Sequence, residues 1–354
     1  MAPIPTPRAA SAGPVQRWLA LDAARGAAAM AVVIFHLHSF GPDPIPAGYR
    51  AVDFFFILSG FVIAHAYEAR LGDGLSFGRF ALIRIGRLYP LYLLGLMVGL
   101  AQLVVQQTAL THDPVGLAAS LVTGLLMLPG RIAGVRYIYP LNNPSWSLFY
   151  ELVVNAAFAL TARWLTPVRL ILVVAISLLA LTGLALVHKN LSIGAKWDRI
   201  GLPGGLTRVS FSFFAGVLIH RYRPSRAIRS DLATAAIAIA PVLACIVGPY
   251  DWRFDLPIDV VCLPALVWIG AAIQPRSAPV AAIAAVAGTM SYGLYALHFP
   301  ILLWMSGLAG SRIDPHLAMA ATGAAALAAA YLATRFFDEP LRRRLARRRA
   351  AVSI

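Results

Sequence analysis

Charge is scarce in this chain. Only 13% of its 354 residues are charged, and acidic residues number 15 against 30 lysines and arginines. A soluble α/β enzyme with a large apolar core would carry about a quarter charged residues and strand-like runs, so that class is excluded. Cysteine is nearly absent too. Cys245 and Cys262 both sit in apolar runs, where no disulfide framework is implied. No internal repeat of the kind that marks many transporters is visible. What fills the chain instead is apolar: 59% hydrophobic residues and a mean hydropathy of +0.73. The fold class that follows is an all-α polytopic membrane protein. The net charge of +15 is almost all arginine, in short clusters between apolar runs. Such clusters read as topology signals and lipid-headgroup contacts, not as a nucleic-acid surface.

Spans of roughly 20 apolar residues are expected at Trp18–Phe40, Ala51–Tyr67, Phe80–Gln106, Trp146–Leu165, Arg169–His188, Leu206–His220, Leu232–Val247, Leu256–Ile273, Ala281–Met305 and Pro315–Phe337. Counting the short run Leu117–Leu128 as an eleventh would reverse every later orientation. The arginines decide for ten transmembrane helices with both termini cytoplasmic, because that model puts the dense clusters inside and the scattered ones outside. Residues 107–144 then form a long outer loop with a partly embedded or re-entrant helix, and long loops are often functional. Residues 1–17, rich in proline, alanine and serine, read as a disordered cytoplasmic lead to an uncleaved first helix. The membrane domain covers 18–337, and 338–354 form a basic cytoplasmic tail.

Topology assigns depth. In the first helix, LDAARGAAAMAVVIFH, Arg25 lies toward the cytoplasm and His36 toward the outside. Eleven residues turn through about 1100°, roughly 20° from three full turns, so the two share a face about 16 Å apart along the axis. They cannot form one catalytic pair, but they can address the two ends of one long ligand. His38, about 200° round from His36, falls on another face. Asp53 starts the second helix near the depth of His36, as a partner for that imidazole or as an interfacial helix cap. Further in, the small pair Ser59-Gly60 lets a neighbour approach closely.

Glu151 lies one turn inside the fourth helix, on one face with Ser147 and Asn155. Beside Trp146 and Tyr150 it faces protein, as a catalytic carboxylate or as a strut. The ninth helix brings Ser291 and Tyr292 in below His298, which shares the outer half with His36 or simply bonds a backbone carbonyl. At the cytoplasmic mouth of the third helix stand Arg79, Arg84 and Arg87, the last two on one face. Their forked guanidinium groups suit phosphate; a topology anchor is the plainer alternative. Guanidinium groups therefore sort inside, imidazole and carboxylate groups outside. That order suits a phosphate-bearing donor that comes in from the cytoplasm and is used deeper.

In sequence these stretches resemble the acyltransferase 3 family of integral membrane acyltransferases, whose bacterial members O-acetylate surface polysaccharides, nodulation factors and some antibiotics. The resemblance runs from the first helix to FFDEPLRRRL. An arginine and a histidine separated by ten residues in helix one correspond here to Arg25 and His36. VDFFFILSGF, RIGRLYP and NPSWSLFYE match the family's second-helix, arginine and Trp-Ser-Leu motifs. Many relatives carry an extra C-terminal periplasmic domain; this chain resembles the stand-alone branch.

The resemblance implies acyl-CoA, most often acetyl-CoA, as donor, with no metal. Its phosphates would sit among Arg84, Arg87, Arg79 and Arg25, and its thioester would reach toward His36. An unperturbed imidazole has a pKa near 6.5 and so offers a neutral base at neutral pH. It would deprotonate the acceptor hydroxyl or carry the acyl group covalently, with Asp53 or Glu151 holding its tautomer. His298, Trp146, Ser147, Tyr150, Ser291 and Tyr292 would line the acceptor side. The implied acceptor is a hydroxylated molecule, foremost a carbohydrate, served from the bacterial inner membrane. No nucleic-acid partner is expected, and a homodimer is compatible with these features. Residue chemistry alone leaves two rivals: a proton-coupled transporter or exporter using the buried His, Asp and Glu, and a catalytically silent membrane scaffold.

Overall fold

The computed structural model describes residues 17–41, 45–106, 112–309 and 313–344. They form a helical bundle: α1 (Leu19–His36), α2 (Arg50–Gly72), α3 (Phe77–Val105), α4 (Pro114–Leu125), α5 (Trp146–Thr161), α6 (Pro167–His188), α7 (Gly201–Arg221), α8 (Asp231–Ile246), α9 (Trp252–Pro257), α10 (Leu263–Gly270), α11 (Ala278–Ala309) and α12 (Pro315–Leu332). Ile228–Arg229 pairs in parallel with Ile273–Gln274 as the sheet structure of the described residues. Seven helices among those residues are long and apolar enough to cross a membrane: α1, α2, α3, α6, α7, α11 and α12.

Each of the ten expected segments falls on a helix. Three are shorter than an ordinary span: α5 and α8, of 16 residues each, and the α9–α10 rod, which a π-helical stretch at Ile258–Cys262 interrupts. Inside the expected loop 107–144, α4 forms a helix of 12 residues; residues 107–111 lie outside the described part. The tail expected at 338–354 begins inside a helix, because α12 continues through a π-helical stretch, Ala333–Asp338, to Arg344. Ion pairs four residues apart, Asp338–Arg342 and Glu339–Arg343, favour that extension. Except for Arg17, the lead 1–17 lies outside the described residues, as do 345–354.

Helix starts follow local chemistry. Ser76, Asp113, Thr166, Ser230 and Asp314 accept hydrogen bonds from backbone N–H groups in the first turns of α3, α4, α6, α8 and α12. Proline opens α4, α6 and α12, where its missing N–H would have had no helical partner anyway.

Small residues decide which helices touch. A Cβ on Gly60 of α2 would stand 1.9 Å from the Phe213 carbonyl oxygen, and one on Gly216 of α7 would stand 2.0 Å from that of Ile57. The α2–α7 crossing is thus a reciprocal pair of glycines. In the same way α1 meets α11 through Gly26 against Ala287 and Gly288 against Asp22. Around these four helices, α8 packs on α1, α6 on α7, and α3 and α12 on α11, while α5 bridges α3 and α7. The ends that carry Arg17, Glu68, Arg221 and Arg342 share one face of the bundle, joined by the Arg221–Glu68 pair and the Trp18–His65 ring contact.

Gly216→Val would push backbone against backbone, at a cost of about 3 kcal/mol. Thermal unfolding of the purified protein should fall by about 5 °C or more. A valine at Gly323, where a Cβ meets nothing within 4 Å, serves as the control that should leave it in place.

Candidate active site

Helices α1, α2, α3, α5 and α11 and the end of α12 enclose a cavity of about 520 Å³. Its lining on α2 runs from Val52 to Ala66, about 21 Å of helix. One end holds Arg17, Arg25, Arg84, Arg87 and Arg342. The other is apolar, walled by Val52, Phe55, Phe56 and Leu148, with the hydroxyls of Ser147 and Tyr295.

The guanidinium groups are only partly neutralised. Arg25 lies 3.2 Å from Asp22 and donates to the Gly288 carbonyl. Arg17 pairs with Asp22 at 2.8 Å, and Arg342 pairs with Asp338. Arg84 donates to Glu151 Oε1 at 2.8 Å, and Ser59 Oγ donates to the same oxygen at 2.8 Å. Arg87 lines the same end with no carboxylate partner among the described residues. Five guanidinium groups face three carboxylates, so the lining keeps an excess of two positive charges. An anion is the ligand such a mouth attracts.

Beyond the apolar end stands a pair of imidazoles. His36 Nδ1 lies 2.9 Å from the Val32 carbonyl oxygen and 3.3 Å from His298 Nε2. His298 Nδ1 lies 3.1 Å from the Leu294 carbonyl oxygen and 2.9 Å from that of Tyr295. A carbonyl can only accept, so these partners assign the proton to Nδ1 of both rings. The one His36 Nδ1–H is then shared between the Val32 carbonyl and His298 Nε2, and His36 Nε2 keeps its lone pair free of any protein partner among the described residues. The rings of Phe35 and Phe299 pack edge-on against His36 at 5.1 and 5.3 Å. Neither imidazole lines the cavity.

Several expected contacts are replaced by others. Asp53 does not meet His36; it is buried and takes hydrogen bonds from Arg208 of α7 at 2.5 and 3.1 Å. The tight α2–α7 crossing brings that guanidinium within reach, and a buried carboxylate without a counter-charge is unfavourable. Glu151 is likewise no partner for an imidazole. It sits on the cavity wall, because Arg84 begins its reach two turns into α3. The tautomer of each imidazole is set by backbone carbonyls of its own helix instead.

Arg79 stands exposed in the first turn of α3, outside the cavity lining. Trp146 and Tyr150, expected on the acceptor side, are core residues: the Arg208 guanidinium lies over the Trp146 ring at 5.5 Å, and the Tyr150 hydroxyl donates to the Gly194 carbonyl at 3.1 Å. Ser147, Ser291 and Tyr292 do line the cavity. Ser291 Oγ donates to the Gly288 carbonyl at 2.8 Å, and the Tyr292 hydroxyl to that of Leu88 at 2.5 Å.

Tyr295, Arg208, Asp338 and Arg342 were not singled out by the sequence. Tyr295 was legible in principle, because Tyr292, Tyr295 and His298 follow at spacings of three along α11 and so share a side. Asp338 and Arg342 fall in a stretch that reads as a tail.

Residues 18–335 match a sequence family described as an acyltransferase domain, acyltransferase 3. A protein of Rhizobium radiobacter described as protein 2 in the picA locus is 40% identical over 187 residues, which cover 48% of this chain and 96% of that protein. A putative peptidoglycan O-acetyltransferase of Bacillus subtilis, YrhL, is 24% identical over 91% of this chain, which spans 54% of the length of that relative. No solved structure matches the chain. With the match running through nearly all of the helices just described, this chain belongs to the acyltransferase 3 family.

Proposed function

We propose that this membrane acyltransferase moves an acyl group, acetyl above all, from acyl-CoA to a hydroxyl of a glycan or another surface or secreted acceptor. The observation that carries the reading is the graded cavity. Its cationic mouth suits the phosphates of a coenzyme, and its volume falls in the roughly 300–1000 Å³ typical of small-molecule sites. The neutral thioester end would lie against the apolar walls, close to the imidazole pair.

In this reading Arg87, Arg84, Arg25 and Arg342 hold the donor's phosphates through charge-assisted hydrogen bonds. His36 supplies Nε2 as the base that takes the acceptor's hydroxyl proton, or as the nucleophile that carries the acyl group for one step. His298 positions it by accepting from Nδ1. The chain would cross a bacterial inner membrane ten times, with both termini and the arginine-rich face cytoplasmic. The glycan acceptor is supported by the likeness to the Bacillus relative, a putative peptidoglycan O-acetyltransferase.

The test is release of free thiol from acetyl-CoA by membranes that contain the protein, with and without a panel of hydroxylated acceptors. Acceptor-dependent release supports the reading, and ion-coupled flux without acetyl-CoA consumption replaces it. His36→Ala should lower that release by about 100-fold or more at an unchanged membrane level of protein; full activity would remove the histidine from the mechanism. Arg87→Ala should weaken coenzyme A binding to the purified protein by about tenfold or more, the value of one hydrogen bond to a charged group. Unchanged affinity would return Arg87 to a topology role.

A further inference from the structure

Neither imidazole lines the cavity, and Tyr295 borders both the cavity and the pair. The Tyr295 ring lines the cavity, meets the Phe55 ring edge-on at 5.7 Å, and lies 5.9 Å from the His298 ring. Phe55 also lines the cavity and packs against the apolar cluster that holds Val33 and Leu37, next to His36. A neutral group at the apolar end of the cavity therefore faces an aromatic wall, with the imidazoles behind it.

The wall is held lightly at its polar tip. Tyr295 Oη lies 2.6 Å from Ser147 Oγ, and both hydroxyls lie 3.1 Å from the Pro144 carbonyl oxygen. Two hydroxyl protons serve this triangle. One suffices for the Pro144 carbonyl, and the second joins two neutral hydroxyls, a weaker hold than a charge-assisted bond. The ring borders the cavity, whose open volume is the space it would turn into.

We propose that Tyr295 is a swinging partition between the cavity and the His36–His298 pair, and that its ring turns aside to let the acyl end of the donor meet His36. The passing group rests on the acyl-CoA reading above; the partition itself rests on the geometry alone. Tyr295 is thus a positioning residue, which acts by admitting or excluding. It also keeps water from the far side off a thioester held in the cavity. Without it, water oxygen would bond to the acyl carbon, the carbon–sulfur bond would break, and carboxylate, one proton and the free thiol would leave.

A sidedness experiment tests this. Cys245 and Cys262 are replaced by alanine, Val62→Cys places a reporter on the cavity wall, and a membrane-impermeant thiol reagent is added from either side of oriented vesicles. With Tyr295 or Tyr295→Phe, labelling is expected from the arginine-rich side only. Tyr295→Ala should add labelling from the far side, at least tenfold faster than in the parent, with near-side labelling unchanged as the sign of a folded protein; Tyr295→Leu stands in if alanine fails that control. Far-side labelling of the parent overturns the partition. So does its absence in both Tyr295→Ala and the double variant with Phe55→Ala. Free-thiol release from acetyl-CoA without acceptor should likewise rise severalfold in Tyr295→Ala over Tyr295→Phe. If labelling follows expectation while no form of the protein consumes acetyl-CoA, the partition stands and the donor reading falls.

Discussion

Glu151 takes a hydrogen bond from Arg84 and another from Ser59, each at 2.8 Å, so one carboxylate ties α5 to α3 and α2 around the cavity. Charge survives in apolar surroundings only when it is paired, solvated or used, and removal of one partner strands the other. The same constraint governs the far half of the bundle. Arg208 is committed to Asp53, and Arg50, fully buried, to Asp255 at 2.7 Å. Arg50 also donates to the carbonyls of Ala244 and Val247, which the end of α8 leaves open, and to that of Pro249 beyond it. Tyr49 and the Leu191 N–H complete the shell of Asp255. Arg208 and Arg50 are thereby committed, whereas the cavity mouth keeps its two positive charges in excess for a ligand.

Backbone satisfaction places the other end of the site. Pro300 deprives the Ala296 carbonyl of its helical donor, and Asn142 Nδ2 fills the gap at 2.9 Å. An unpaired carbonyl at that depth would be costly, so the bond ties the segment before α5 to α11 within a turn of Tyr295 and His298. The contact between Ser147 and Tyr295 follows from that anchor. The polar tip of the aromatic wall and the imidazole behind it are therefore positioned by one proline and one asparagine.

Helix positions were largely legible, because each apolar run exceeds what a soluble chain would tolerate and every expected segment became helix. The mutual face of Arg25 and His36 was legible too, since it depends on the pitch of one helix. Partners across helices were not. Asp53 and His36 were matched by depth, yet depth leaves open which of several neighbours a side chain turns toward. The choice of Arg208 depended on the glycine crossing of α2 and α7, 155 residues apart in sequence at the bonded pair. The motif of Trp146 and Tyr150 implies a lining role, but their bulk is used to fill the space beside Arg208 and under Gly205. Motif membership says that a residue matters and not which way it points.

Under the proposed reading, the two ends of the cavity divide the donor by charge. Phosphates are worth holding where two positive charges lie in excess, and desolvating them at the apolar end would be prohibitive. A thioester carries no net charge, so Val52, Phe55, Phe56 and Leu148 exclude the phosphates while they accept the acyl end. The distance between guanidinium and imidazole groups has a second effect. Over the axial rise of about 16 Å from Arg25 to His36 and at an effective dielectric constant near 20, one unit charge acts on the imidazole with about 1 kcal/mol, whereas contact distance would multiply that severalfold. Arginines close enough to touch the ring would oppose its taking up a proton; at that distance they hold the donor and leave His36 free to act as base or nucleophile. The length of α1 is what reconciles the two demands.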